Sequence, residues 1–331
     1  MKFAVIGTNF VSDMFMEGLS HTDDASVIGV CSGRMENAIR FSEKYKIPKV
    51  YRHYKEVIED KSVEAVYVAT PNAMHKEIVI FFLSNKVPVF CEKPMGSNFD
   101  EVKEMVDCAR ENHTYLHEGI VPLFNPNFKI LKKSLDKVGV IRQVTYNFSK
   151  YSSRYDQYLA GENPTTFRRE LANGAIMDLG VYVFTHVIAL FGKPISMSSK
   201  GVLLETGVDV AGSSLLEYKD FIANLSYSKA SDTGIYCEIC GEKGTIEIDH
   251  PTQIRSIKYT DRQTKEVQEL AIDRKPIFHY QIQEMIDCIN HQEIESKSNP
   301  LELSLLISEC MYECRKQANV IFPQDEGLQK K

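Results

Sequence analysis

Lys93, Asp178 and Tyr182 supply an ammonium, a carboxylate and a phenol. These are the groups needed to take a proton from an alcohol while a hydride leaves its carbon. Lys93 closes the apolar run Val87-Pro-Val-Phe-Cys-Glu-Lys-Pro94, and the other two lie in Gly174-Ala-Ile-Met-Asp-Leu-Gly-Val-Tyr182. A phenol of ordinary pKa, near ~10, is a poor base at neutral pH. A neighbouring ammonium stabilises phenolate, so Lys93 would supply the charge and Tyr182 would receive the hydroxyl proton. Residues 178, 182 and 186 are spaced by four, which places Asp178, Tyr182 and His186 on one helix face. Asp178 is then a candidate to orient Lys93 or the substrate, and His186 a weaker candidate for a substrate hydroxyl. Arg168 and Arg169 precede this helix and could meet a polar substrate, although a solvated loop is their default reading. Each residue alone also has an ordinary role: a surface lysine, a helix cap, a core tyrosine, a packed histidine. The redox reading requires the three to converge around one nicotinamide ring.

The hydride needs a carrier. Gly7-Thr-Asn-Phe-Val-Ser12 follows an apolar strand and opens a helix, the setting of a dinucleotide phosphate turn. Asn9 and Ser12 stand where the G-x-G-x-x-G pattern has glycines. Asn tolerates a left-handed backbone and Ser is small enough for close helix packing. The second strand ends Val30-Cys-Ser-Gly-Arg34, with no acid for the ribose hydroxyls. Ser32 and Arg34 instead suit a 2′-phosphate, so NADP is preferred over NAD. The candidate cofactor set is Gly7, Thr8, Asn9, Phe10, Ser32, Arg34, Thr70, Pro71, Asn72, His75, Glu92 and Lys93. His75 would cap the turn after Thr70-Pro-Asn or contact the cofactor.

These residues need a scaffold that brings strand ends together. Short β-type runs alternate with helical patterns through residues 1–120, which predicts a parallel α/β sheet of the Rossmann kind. Strands are expected near 3–6, 26–31, 48–51, 64–69, 87–91 and 114–117. Right-handed crossovers place every strand C-terminus on one edge, where ligands bind. Residues 121–331 read as a second, α+β domain. A helix near 125–135, in which Asn125 and Phe128 could line the pocket, leads into a long strand at 140–150. The polar stretch 151–173 reads as a mobile loop, and 175–191 as an apolar helix. Strands then recur from 195 to 259, among them 235–240, joined mostly as antiparallel hairpins. Helices at 279–290 and 301–316 follow, and the last ten residues read as a frayed, polar tail.

Bulk composition narrows the classes. The chain has 331 residues, 43% hydrophobic and 25% charged, as expected of a globular protein with two domains. A net charge of −6 without a basic cluster argues against nucleic acid. No uninterrupted apolar run approaches ~20 residues, which argues against a membrane span. Eight cysteines and no signal-peptide pattern suggest free thiols in the cytoplasm. Cys237-Glu-Ile-Cys240 raises the possibility of a zinc enzyme, but residues three apart on a strand point to opposite faces, so core thiols are the preferred reading and no metal is expected.

Ala69-Thr-Pro-Asn-Ala-Met-His75, Glu92-Lys-Pro94 and Asp178-Leu-Gly-Val-Tyr182 together resemble the glucose-fructose oxidoreductase/inositol dehydrogenase (Gfo/Idh/MocA) family over nearly the whole chain. Tyr182, where inositol dehydrogenases usually have His, resembles the branch of dihydrodiol and NADP-linked xylose dehydrogenases. The resemblance implies an NAD(P)-dependent dehydrogenase or reductase of a sugar, polyol or cyclic diol. It also implies a cis Lys93-Pro94 bond, and a large open sheet in the second domain through which copies form a homodimer or higher oligomer. The alternative is a non-catalytic dinucleotide- or sugar-sensing regulator on the same fold.

Overall fold

Phe3-Ala-Val-Ile6 carries no polar side chain, and it becomes the sealed middle of a parallel sheet, as a strand covered on both faces must be. A computed structural model describes residues 1–234 and 236–326. Ile235 of the expected 235–240 strand and the last five residues of the tail lie outside the described residues. The first sheet consists of β1 (Lys2–Ile6), β2 (Ser26–Cys31), β3 (Lys49–Tyr51), β4 (Ala65–Val68), β5 (Val89–Glu92) and β6 (Leu116–Gly119). All pairs are parallel and the order is β3-β2-β1-β4-β5-β6, the doubly wound dinucleotide arrangement. The helices are α1 (Phe10–Leu19), α2 (Met35–Tyr45), α3 (His75–Ser84), α4 (Phe99–Glu111), α5 (Val121–Phe124), α6 (Pro126–Ser134), α7 (Ser153–Leu159), α8 (Val181–Phe191), α9 (Ile277–Asn290) and α10 (Leu301–Gln317).

The chain divides into two compact units, one of 1–121 with 275–305 and one of 122–274 with 306–331. The chain passes between the two units after 121, 274 and 305. The helix α9 belongs to the first unit, because Phe278, Ile282 and Met285 join the layer formed by Phe15 and Tyr67 on one face of the sheet. Phe15 stacks on Tyr67 with centroids 4.0 Å apart. Gly18 makes the helix approach possible: a Cβ there would stand 2.4 Å from the Cβ of Phe278. The opposite face is packed by α3 and α4 through Ile78, Phe82, Val102 and Met105.

The second unit is built on eight strands: β7 (Ile141–Ser149), β8 (Ser196–Leu203), β9 (Asp209–Glu217), β10 (Ile222–Ser228), β11 (Cys237–Gly241), β12 (Gly244–Ile248), β13 (Ile257–Asp261) and β14 (Val267–Glu269). They lie in the order β14-β13-β12-β11-β7-β10-β9-β8. The pairing is antiparallel except that β10 runs parallel to β7. Alternation decides the faces: Val144, Tyr146, Leu225, Tyr227, Ile239 and Ile246 are buried, while Gln143, Ser213, Leu215, Ile222 and Glu247 are exposed.

Three local expectations change. Residues 151–173 form no featureless loop; α7 and two short 3-10 turns are organised by Tyr155, Tyr158 and Phe167, whose rings contact one another. The apolar helix is not uniform, since Ile176–Gly180 is a π-turn that continues into α8. By length and composition, 169–191 could cross a membrane, but 72% of its apolar window is buried, which makes it a core helix here.

Candidate active site

In the first unit the strand ends gather Gly7, Ser32, Thr70 and Lys93 along one edge, as parallel topology requires. Gly7 has φ +109, and a Cβ on it would meet the Ala69 carbonyl oxygen at 2.2 Å, so no other residue fits that turn. Asn9 does not use the left-handed backbone that its type allows. It is extended, and caps α1: its Oδ1 accepts from Val11 N (2.9 Å) and Ser12 N (3.3 Å), while Nδ2 donates to the Ala69 carbonyl at 3.0 Å. Ser12 is buried and donates to the Gly7 carbonyl at 2.9 Å, which ties helix to strand without the bulk of a larger residue. Thr8 Oγ1 donates to Ser32 Oγ at 2.9 Å and joins the first two strand ends. Phe10 and Arg34 project into solvent at the starts of α1 and α2. Pro71 is exposed and Asn72 opens a 3-10 turn. Thr70 Oγ1 is sealed from water without a hydrogen-bond partner. Such an orphan at a strand end costs free energy unless a ligand satisfies it. An orphaned hydroxyl and a glycine-gated turn at the strand-to-helix junction together fit a dinucleotide.

Two members of the expected cofactor set are engaged elsewhere. His75 is buried, with Nε2 2.9 Å from the Thr70 carbonyl and Nδ1 3.1 Å from that of Pro94. Its two ring nitrogens face backbone carbonyls on either side, so the buried imidazole sits between the β4 end and the loop after Lys93. Burial pushes its pKa down. Glu92 also turns inward. Its Oε1 accepts from Tyr67 OH at 2.7 Å and its Oε2 from Lys93 N at 3.3 Å. Burial raises its pKa to about 7, against the opposing pull of Tyr67 and Lys93. Glu118, which carries no local motif, lies beside it on β6 and accepts from Met95 N at 3.0 Å. Lys93 itself is half-buried, and its bond to Pro94 is cis.

In the second unit the sheet directions create another edge. β7 and β10 end there, β12 ends there, and β9 and β11 begin there. This brings Phe148, Lys229, His250, Asp209 and Tyr236 to one end of the sheet. Asp209, buried at the start of β9, accepts from Ile176 N at 2.7 Å and fixes the first turn of the helix bearing Asp178 and Tyr182. Lys229, immediately after β10, donates to Asp178 Oδ2. Tyr182 is half-buried with its ring against Phe148, centroids 5.7 Å apart. Nothing in the residue pattern marks Lys229, because a lone lysine behind a strand reads as solvated.

His186 is not available to a substrate. It is fully buried, with Nε2 2.6 Å from the Pro251 carbonyl and Nδ1 3.2 Å from Tyr146 OH, and it packs on Phe128. Each four-residue step along an α-helix rotates by about 40°, so 186 has turned from the half-exposed face of 182 into the core. Burial lowers its pKa to about 4. Arg168 folds back on its own loop, Nε donating to the Asn163 carbonyl at 2.8 Å. Phe128 and Asn125 are buried, and Asn125 ties α6 to the Gln253 carbonyl at 2.6 Å. Cys237 is buried in β11 and Cys240 half-buried on its other face.

Residues 1–120 match a family model described as an oxidoreductase family with an NAD-binding Rossmann fold, and 132–247 match the GFO/IDH/MocA C-terminal domain. The chain belongs to the Gfo/Idh/MocA family. It is therefore an NAD(P)-dependent oxidoreductase. It is 38% identical to scyllo-inositol 2-dehydrogenase (NADP(+)) IolU of Bacillus subtilis (strain 168), over 99% of this chain and 100% of that protein. It is 32% identical to the trans-1,2-dihydrobenzene-1,2-diol dehydrogenase of Oryctolagus cuniculus, over 91% of this chain and 92% of that one. The aldose-aldose oxidoreductase of Caulobacter crescentus shares the fold with TM-score 0.84, at 20% identity over 96% of this chain and 97% of that one.

Proposed function

We propose that the chain oxidises a secondary hydroxyl of a polyol, cyclic diol or sugar, or reduces the corresponding ketone, with NADP as the preferred partner. The observation that carries this reading is full-length similarity to an NADP-linked inositol dehydrogenase and to diol dehydrogenases. The β2 end supports NADP: Ser32 and the exposed Arg34 stand where NAD-preferring sites place an acid. Gly7, Thr8, Asn9, Phe10, Thr70, Pro71 and Asn72 would hold the dinucleotide. When bound, it supplies the hydride acceptor or donor.

Among the chain's own groups, we assign proton transfer with the substrate hydroxyl to Tyr182, the fixed positive charge to Lys93, and orientation of the site to Asp178. Lys93 is supported by its strand-end position. Tyr182 and Asp178 are supported by the helix start that Asp209 and Lys229 hold in place. Self-association through the exposed face of the second sheet, where Leu215 and Ile222 stand among polar residues, belongs to the same proposal. So does a cytoplasmic location, consistent with eight reduced cysteines.

The test is a screen of polyols, sugars and cyclic diols for NADP+ reduction, repeated with Lys93→Met. The variant should retain NADPH binding by fluorescence and lose at least about 100-fold in kcat. Unchanged turnover rejects the assignment of Lys93. A wild-type protein inactive on the whole screen rejects the substrate class.

A further inference from the structure

His250 follows β12 and faces the same aromatic group as Tyr182. Its ring lies 4.9 Å from Phe148 and 5.0 Å from Tyr236, centroid to centroid, while Tyr182 flanks Phe148 at 5.7 Å. The loop that presents it is braced. Asp249 Oδ1 accepts from Arg255 N at 2.8 Å and Ser256 N at 3.0 Å, and the next carbonyl, that of Pro251, is held by His186.

The hydrogen bonds fix the tautomer. His250 Nδ1 lies 3.2 Å from Thr252 N, a backbone N–H that can only donate, and 2.9 Å from Thr252 Oγ1. Nδ1 is therefore the acceptor, and a neutral ring carries its proton on Nε2. Burial keeps the ring neutral, its pKa lowered to about 4. His250 is half-buried, and its Nε2 makes no hydrogen bond among the described residues. The result is one oriented N–H donor on a rigid loop, sharing an aromatic wall with the phenol assigned to proton transfer.

We propose that His250 is a specificity-determining residue whose Nε2–H donates to a second hydroxyl of the substrate, so that the site selects polyhydroxylated compounds over simple secondary alcohols. The inference rests on the function proposed above. A neutral donor of fixed tautomer suits this role, because it recognises a hydroxyl oxygen without competing for the reacting proton. Removing a donor from a site built to bond a hydroxyl weakens binding of ground and transition states alike, which appears as raised KM.

The test uses the NADP+-loaded enzyme with scyllo-inositol, and with trans-cyclohexane-1,2-diol as a second probe. His250→Phe keeps an aromatic ring and removes the donor. It should raise KM about tenfold while kcat changes by less than about threefold. His250→Gln restores an N–H and should recover most of the loss. NADPH binding verifies folding, and His250→Leu serves as the donor-free variant if His250→Phe does not fold. An unchanged KM, a loss confined to kcat, or a glutamine variant no better than the donor-free one overturns the inference while leaving the oxidoreductase reading intact. A wild-type enzyme inactive on both probes removes the substrate class and the inference with it.

Discussion

Lys229 Nζ donates to Asp178 Oδ2, and the two ends of this pair live in different surroundings: the lysine side chain is 7% exposed, the aspartate 42%. The end of β10 thereby holds the π-turn from which Tyr182 extends. The pair is a tie between the sheet and the helix that carries Tyr182, since Lys229 N also donates to the Val210 carbonyl at 2.8 Å.

That asymmetry predicts unequal mutational costs. Asp178→Ala leaves a buried ammonium without its carboxylate and should cost about 3 kcal/mol in urea unfolding. Lys229→Met leaves a half-exposed carboxylate that water can solvate, and should cost only about 1 kcal/mol. The double variant should be more stable than Asp178→Ala alone, because the stranded charge is gone. Equal single losses that add in the double variant would show that the two groups do not share their charge.

Cofactor choice has a separate test. Arg34 stands exposed at the start of α2, beside Ser32 and with no acid at the strand end. Arg34→Ala should weaken NADPH binding at least about tenfold more than NADH binding, read by fluorescence titration at fixed ionic strength. Equal weakening of both would remove the 2′-phosphate from the role assigned to this guanidinium.

Glu92 predicts a pH dependence. Its folded pKa is raised from 4.5 to about 7 by burial. Between those values the folded state holds a proton that the unfolded chain has lost. The group's contribution therefore makes stability fall as pH rises through this window, and level off above it. Glu92→Gln removes the effect. Relative to wild type, the variant should gain roughly 3 kcal/mol between about pH 4.5 and about pH 8, measured by urea unfolding. A difference that does not vary with pH would mean that the carboxyl titrates normally in the fold.

Much of the fold is legible in the sequence because it rests on local periodicity. Ser26–Cys31 is bounded in the structure as its pattern requires, and most of the other expected elements fall within two residues. The short β14 escapes such a reading, since three exposed residues leave no apolar alternation. The π-turn escapes it because a π-turn and an α-turn differ in hydrogen-bond register, not in residue type.

The sequence alone determined which side chains are candidates for the chemistry. The strand-end Lys93, the Gly7 turn and the Asp178/Tyr182 helix are written as short local motifs, and topology obliges strand ends to share an edge. Only tertiary structure decided where those side chains point. His75, Glu92 and His186 have the right chemical types, yet each is turned inward by partners distant in the chain: Pro94, Tyr67 and Pro251. Lys229 and His250 carry no local signal, and strand directions set by long-range pairing bring them beside Asp178 and Phe148. The reason is physical: helix and strand patterns depend on neighbours a few residues away, whereas burial and hydrogen-bond partners depend on contacts between segments far apart in the chain.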